Sequence, residues 1–156
     1  YMLNSGYVEE LAAWCADNKQ ERLHFFWDKK TARSVTEISD NLTMHALSDS
    51  RFLKYMSGAK AYATTAGFES VCEAMYMQKP VLMVPTHIEQ ECNVIDAQRS
   101  GAGVSAVDFN LNILLDFIPT YKPDMAYRLW VNSAERIILD ELTNFELCED
   151  NVLVAI

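Results

Sequence analysis

The chain has 156 residues, half of them apolar and 22% charged, which excludes a disordered tail and gives length enough for one domain with a buried core. Thirteen Lys and Arg face 22 Asp and Glu; the net charge of −9 repels a phosphate backbone, so nucleic acid is not an expected partner, whereas a small phosphate ligand stays open because backbone N–H groups bind one without net positive charge. Five Gly and four Pro exclude collagen-like and low-complexity chains, and no apolar run approaches the roughly 18–20 residues of a membrane-spanning helix.

Residues 1–3 read as the tail of a strand, Asn4-Ser5-Gly6 as a turn, and residues 8–16 as a helix with Leu11, Ala12 and Cys15 on one face. The aromatic run 23–27 (LHFFW) is a compact strand, 28–40 is polar without a clear period and reads as a loop, and 42–47 is a weaker strand. Ser48 or Asp49 caps a short helix through Met56, with Phe52, Leu53 and Met56 inward. A strand over 60–63 leads into the tight loop Thr64-Thr65-Ala66-Gly67. A helix over 68–77 follows, with Val71, Cys72, Met75 and Tyr76 as its apolar stripe. The wholly apolar run 80–84 (PVLMV) is expected in the middle of a parallel sheet. Residues 85–90 form a loop, 91–99 a helix ending at Ser100-Gly101, and 104–107 a last strand.

The remainder is helical. Asn110 or Asn112 starts a short helix through Ile118, and Pro119 and Pro123 break the chain. Asp124 caps a long helix from 125 to about 142, with Leu129, Ala134, Ile137, Ile138 and Leu142 as apolar positions. Residues 144–156 are an acidic, then apolar tail. Such strand–helix alternation implies a three-layer α/β fold: a parallel sheet of about six strands with helices on both faces, over 1–108, followed by a helical extension over 109–156.

In a sheet of this kind ligands bind beyond the carboxyl ends of strands. Two loops fit. In Thr64–Gly67, small residues let the backbone approach a ligand. The following helix start offers N–H groups with partial positive charge, and Thr64, Thr65 and Ser70 add hydroxyls, which together suit a diphosphate. Glu73, farther along that helix, suits a ribose diol. The bland alternative is an ordinary strand-to-helix turn with a solvated Glu. In the loop after PVLMV, Glu89 and Gln90 offer acceptors and donors for sugar hydroxyls, and His87 offers a phosphate contact. Here the alternative is helix capping by acidic residues. His87, Glu89 and Glu91 lack a second nearby His, so no metal is expected. A phosphoacceptor domain would need an acidic cluster at strand ends, and Asp28 stands alone.

The two segments together, at this spacing, resemble the donor-binding half of GT-B glycosyltransferases, the MurG-like enzymes and UDP-glycosyltransferases. T-A-G-F-E-S-V-C-E resembles that family's H-x-G-x-x-S/T-x-x-E, K-P-V-L-M-V-P its G-x-P-x-x-x-x-P strand, E-Q-E-C-N its D/E-Q-x-x-N, and S-G-A-G-V the exit to its last strand. The resemblance implies a Rossmann-like domain. In it, Thr65, Gly67, Phe68 and Ser70 lie under the donor diphosphate, Glu73 holds the ribose, Glu89 and Gln90 contact the sugar, and Asn93 packs behind them. Ser5 and Gly6, with His87, would contact phosphate. Thr65 stands where the family carries a phosphate-facing His, and Glu69 where it carries a small polar residue.

The co-substrate implied is a nucleotide sugar, by first choice a UDP-sugar, with no metal or other cofactor. The acceptor site and general base would lie in an N-terminal domain outside this chain, so the fragment alone is expected to be inactive. A catalytically dead binding module and a sugar-nucleotide 2-epimerase of the same architecture are the alternatives. Tyr1 opens the chain inside an apolar stretch, as in a cut from something longer. The cysteines Cys15, Cys72, Cys92 and Cys148 make no C-x-x-C pair, and no signal peptide is evident. The expectation is a cytoplasmic protein with free thiols, peripheral at the inner membrane face through its other half, with no membrane insertion of its own.

Overall fold

The computed structural model describes residues 6–27 and 34–146. Helix α1 (Gly6–Asp17) buries Leu11 and Cys15, one turn apart, against Phe25 of β1 (Leu23–Trp27) and Leu42 of β3 (Leu42–Ala46). The carboxyl end of α1 is held by Asn41, whose Nδ2 donates to the carbonyls of Cys15 (2.9 Å), Asn18 (3.2 Å) and Glu21 (3.1 Å). Strands β1 and β3 run parallel, and β2 (Val35–Ser39) adds to the other edge of β3 in the antiparallel sense. Helix α2 (Asp49–Gly58) then buries Met56.

Strands β4 (Tyr62–Thr64), β5 (Val81–Met83) and β6 (Gly103–Ser105) form a second sheet, all parallel, with crossovers α3 (Phe68–Tyr76) and α4 (Ile88–Arg99). The central strand β5 is buried on both faces because its side chains alternate between two cores. Leu82 and Val84 join Leu11, Phe25, and Leu111 and Leu114 of α5 (Leu111–Phe117). Val81 and Met83 join Val71 and Ala74 of α3 and Val94 and Ala97 of α4. Helices therefore cover both faces, as the α/β pattern requires.

Helices α3 and α4 end alike. Each closes with a residue in the left-handed region, Gln78 (φ 58°) after α3 and Gly101 (φ 70°) after α4. In each, the next N–H reaches back five residues: Lys79 to the Ala74 carbonyl at 2.8 Å, and Ala102 to the Ala97 carbonyl at 2.9 Å. A short 3-10 turn (Ile118–Thr120) leads to α6 (Met125–Glu146), capped by Asp124, whose Oδ1 accepts from the Ala126 N–H at 2.7 Å. Among the described residues no helix is long and apolar enough to cross a membrane.

Three expectations are corrected. The single parallel sheet of about six strands is, among the described residues, two three-stranded sheets, β1-β3-β2 and β4-β5-β6. Residues 1–3, read as a strand tail, lie outside the described residues, as does 28–33. The polar stretch read as a loop contains strand β2. It escapes a hydrophobicity pattern because all five of its residues are exposed at a sheet edge, though Val35, Thr36 and Ile38 are β-branched. Finally, α6 leaves Leu129, Ile138 and Leu142 more than half exposed, since among the helices and strands it packs chiefly on α3.

Candidate functional site

Parallel β4 and β5 are neighbours, so the loops leaving their carboxyl ends emerge side by side. A direct bond joins them: Asn93 Nδ2, on the second turn of α4, donates to the Ala66 carbonyl at 3.0 Å. The start of α3 and the start of α4 are thus tied together beyond the carboxyl ends of the two strands.

The Thr64–Gly67 loop differs from expectation in its details. Ala66, not Gly67, takes the left-handed conformation (φ 65°), and it is completely buried. Gly67 is the N-cap of α3 at φ −59°, ψ 134°, which any residue adopts. A Cβ on Gly67 would meet only Ser70 Oγ, at an ordinary 3.7 Å. The fold does not demand glycine there; its smallness keeps the helix start open. Thr64, expected to offer its hydroxyl, is 1% exposed with Oγ1 3.4 Å from Ser70 Oγ, so it is interior packing. Ser70 donates to the Gly67 carbonyl at 3.1 Å and holds the loop shut on its own helix. Phe68, at the first helical position, is 65% exposed, Glu69 beside it is exposed, and Thr65 is half-buried.

Glu73 lies one to two turns into α3 and is half-buried. Burial raises its carboxyl above the ordinary range, and Glu69 and Asp49 at the start of α2 push it further the same way. Asp49, far away in sequence, thus acts on Glu73 through its charge, an influence that distance in sequence concealed.

The second loop is shorter than expected, because α4 begins at Ile88 rather than Glu91. Glu89 and Gln90 thus stand in the first turn of the helix instead of in a loop. Gln90 explains the early start: its Oε1 accepts from the Thr86 N–H at 2.8 Å and from Thr86 Oγ1 at 2.9 Å, closing the turn before the helix. His87 is the extended N-cap residue and is exposed, like Glu89. Ile88, which sequence reasoning passed over, is 75% exposed at the first position of α4, the counterpart of Phe68 on α3. Gly6 is the first residue of α1, and Ser5 lies outside the described residues. Among the described residues no three His, Cys, Asp or Glu side chains gather to hold a metal ion.

The structure thus sets the entry loop and start of α3, with Thr65, Gly67, Phe68 and Ser70, beside the start of α4, with His87, Glu89, Gln90 and Asn93, at the carboxyl ends of neighbouring strands, joined by the Asn93–Ala66 bond; Glu73 lies farther along α3. The family model for glycosyl transferase family 1 matches residues 8–121. The glycotransferase of kitacinnamycin, known from its crystal structure, aligns at a TM-score of 0.62 and 15% identity over 87% of this chain, a likeness of fold. The chain spans 36% of that protein's length. No curated protein matches the chain.

Proposed function

Because the chain belongs to glycosyl transferase family 1, we propose that it is the donor-binding half of a GT-B enzyme that moves a sugar from a nucleotide diphosphate to an acceptor hydroxyl. The observation that carries this reading is the Asn93–Ala66 bond, which ties two helix starts together at the carboxyl ends of parallel strands. The N–H groups of both first turns supply partial positive charge for the diphosphate without a metal ion. Gly67 keeps the approach clear, with Thr65, Phe68 and Ser70 around it. Glu73 accepts from the ribose diol. Glu89 accepts from sugar hydroxyls, and Gln90, its carbonyl already taken by Thr86, donates through its amide nitrogen.

In the transfer, the bond from the anomeric carbon to the diphosphate oxygen breaks as the acceptor oxygen bonds to that carbon. The electron pair leaves on the diphosphate, where the helix amides stabilise the charge that develops. The acceptor proton passes to a base on the rest of the enzyme, an N-terminal domain that also supplies the acceptor site. A UDP-sugar is the first-choice donor, and the cytoplasm, with contact to the inner membrane face through that other domain, the setting.

A second reading, a binding module without turnover, is favoured by one observation: Glu69 stands exposed in the first turn of α3, the helix start that would face a diphosphate. Thermal-shift measurements of this chain against UDP-, GDP- and dTDP-sugars test the donor site. Stabilisation by one base class is expected, and none by any of them overturns it. Turnover in the full-length protein separates enzyme from module.

A further inference from the structure

Among the described residues, two buried side-chain polar atoms make no hydrogen bond: His45 Nδ1 and the Tyr62 hydroxyl. A shielded polar group without a partner costs free energy, so each calls for a cause. His45 has its other ring nitrogen bonded to His24 and packs on Tyr55 of α2. Tyr62 belongs to the strand that leads into the Thr64–Gly67 loop. It opens β4 two residues before Thr64, so both side chains point to the same face of the sheet, the one that α3 covers. The Tyr62 ring rests edge-on against Phe52 of α2, centroids 5.6 Å apart, which holds the ring and leaves the hydroxyl to be accounted for.

Three groups on or before α3 act on that hydroxyl. Burial raises the Tyr62 phenol above its ordinary range, the Ser70 and Thr64 hydroxyls pull it back, and the charge of Glu73 raises it again. Neither Ser70 nor Thr64 meets hydrogen-bond geometry with it. Both are engaged already: they lie 3.4 Å apart, and Ser70 donates to the Gly67 carbonyl. Glu73 has the opposite deficit. It is half-buried, three residues beyond Ser70 on α3, and among the described residues no hydrogen bond or ion pair reaches its carboxylate. A donor without an acceptor and an acceptor without a donor thus stand on two packed elements, each within the other's field.

We propose that Tyr62 is a positioning residue of the donor site: when a ribonucleotide binds, its hydroxyl donates to the Glu73 carboxylate and fixes that group to accept the ribose diol. This rests on the reading of Glu73 as the ribose acceptor. The ring is held by Phe52, so the carboxylate is the partner that turns, as hydrogen bonds of a binding site commonly tighten only in the complex. An ionised carboxylate has about four lone-pair sites, room for two ribose hydroxyls and the phenol together. A phenol donating to a carboxylate makes a charge-assisted bond, which favours the ionised form against the repulsion of Glu69 and Asp49.

Calorimetric titration of the 156-residue chain with UDP and with 2′-deoxy-UDP tests it. The native chain should prefer UDP. Tyr62→Phe should weaken UDP about threefold to tenfold and 2′-deoxy-UDP less than about twofold, so that the preference shrinks. Its melting temperature should hold or rise, because the change deletes a buried hydroxyl that has no partner. A tyrosine that serves packing alone would move both nucleotides alike. A full preference retained in Tyr62→Phe overturns the assignment and leaves the donor site standing, and so does equal weakening of both. A native chain that binds both equally takes Glu73 off the ribose and refutes the assignment too; one that binds neither removes the donor site itself. Should Tyr62→Phe not fold, the Tyr62 Cζ resonance of the native chain decides. A shift on adding UDP that 2′-deoxy-UDP does not produce supports the bond, and equal shifts or none refute it.

Discussion

Replacing Gly67 by Ala separates a glycine kept for the fold from one kept for a ligand. In the protein as it stands, the new methyl would meet a single atom, Ser70 Oγ at 3.7 Å, and the backbone at φ −59°, ψ 134° suits alanine. Two small effects oppose each other: Ala is a poorer N-cap than Gly by about 0.5–1 kcal/mol, and it lowers the entropy of the unfolded chain by a similar amount. Stability should therefore move little, with a melting temperature within about 3 °C of the native protein. Binding should respond differently, because the methyl is added at the N-cap of α3, beside the helix start where a diphosphate would have to sit. Forcing a methyl into a filled contact costs about 1–3 kcal/mol, so the dissociation constant for UDP should rise by about fivefold to a hundredfold. Calorimetric titration of both proteins with UDP reads the second effect and thermal melting the first. Equal affinity in the two proteins would refute the placement of the diphosphate, and a large loss of melting temperature would show that the glycine serves the fold.

Other expectations follow from the scaffold. Gly103→Ala should destabilise by about 3 kcal/mol, read as a lower urea midpoint, because its Cβ would come within 2.1 Å of the Val81 carbonyl oxygen on the neighbouring strand. Gln78→Gly should stabilise by about 1 kcal/mol in the same assay, since Gln78 closes α3 at φ 58° where Gly101 does the same for α4. Acid should weaken the β1–β3 sheet through His24 and His45, whose Nδ1 and Nε2 lie 3.0 Å apart. Burial lowers both rings below the usual 6.5, helped by Arg22 at His24 and by His24 and Arg51 at His45. The folded pKa values thus lie below the unfolded one. The rings' contribution is complete above pH 6.5 and is lost as the pH falls from there through the folded values. Urea midpoints at about pH 8 and about pH 5.5 should differ, and His45→Phe should reduce the difference; an unchanged difference would remove the pair from the account.

What could be read beforehand divides along physical lines. The crossover from β4 through α3 and β5 to α4 was legible because a buried parallel strand such as VLM is apolar throughout and its helices carry full stripes. Asp124 and Gly101 were legible because capping and left-handed closure demand particular residue types. β2 was hidden because an exposed edge strand has no buried face to mark it. Ala66 was hidden for the opposite reason: it occupies a glycine's conformation without being glycine, held there by complete burial and by Asn93 on its carbonyl. Distance in sequence concealed the charge of Asp49 acting on Glu73, and a side chain folding back locally, Gln90 on Thr86, starts α4 a turn early.

The carboxylate at the start of α3 bears on the choice between enzyme and binding module. A diphosphate entering at α3 gains from the helix amides and loses to Glu69, exposed in the first turn. A carboxylate several ångströms from a phosphate across a solvated cleft costs on the order of 1 kcal/mol, and salt reduces it. Glu69→Gln should therefore tighten UDP binding by about threefold to tenfold, and more so at low ionic strength. Ordinary phosphate sites lose affinity as salt rises because their contacts are attractive. Here the repulsion is screened as well, so the native protein's affinity should depend on salt less steeply than that of Glu69→Gln. Titrations of both proteins at two ionic strengths measure it. Parallel salt dependences would mean that Glu69 turns away from the ligand, which removes the one observation favouring the inactive reading and leaves the transferase reading unopposed. Diverging ones would mean that this carboxylate sets the donor affinity, so that turnover in the full-length protein should rise with Glu69→Gln at donor concentrations below saturation.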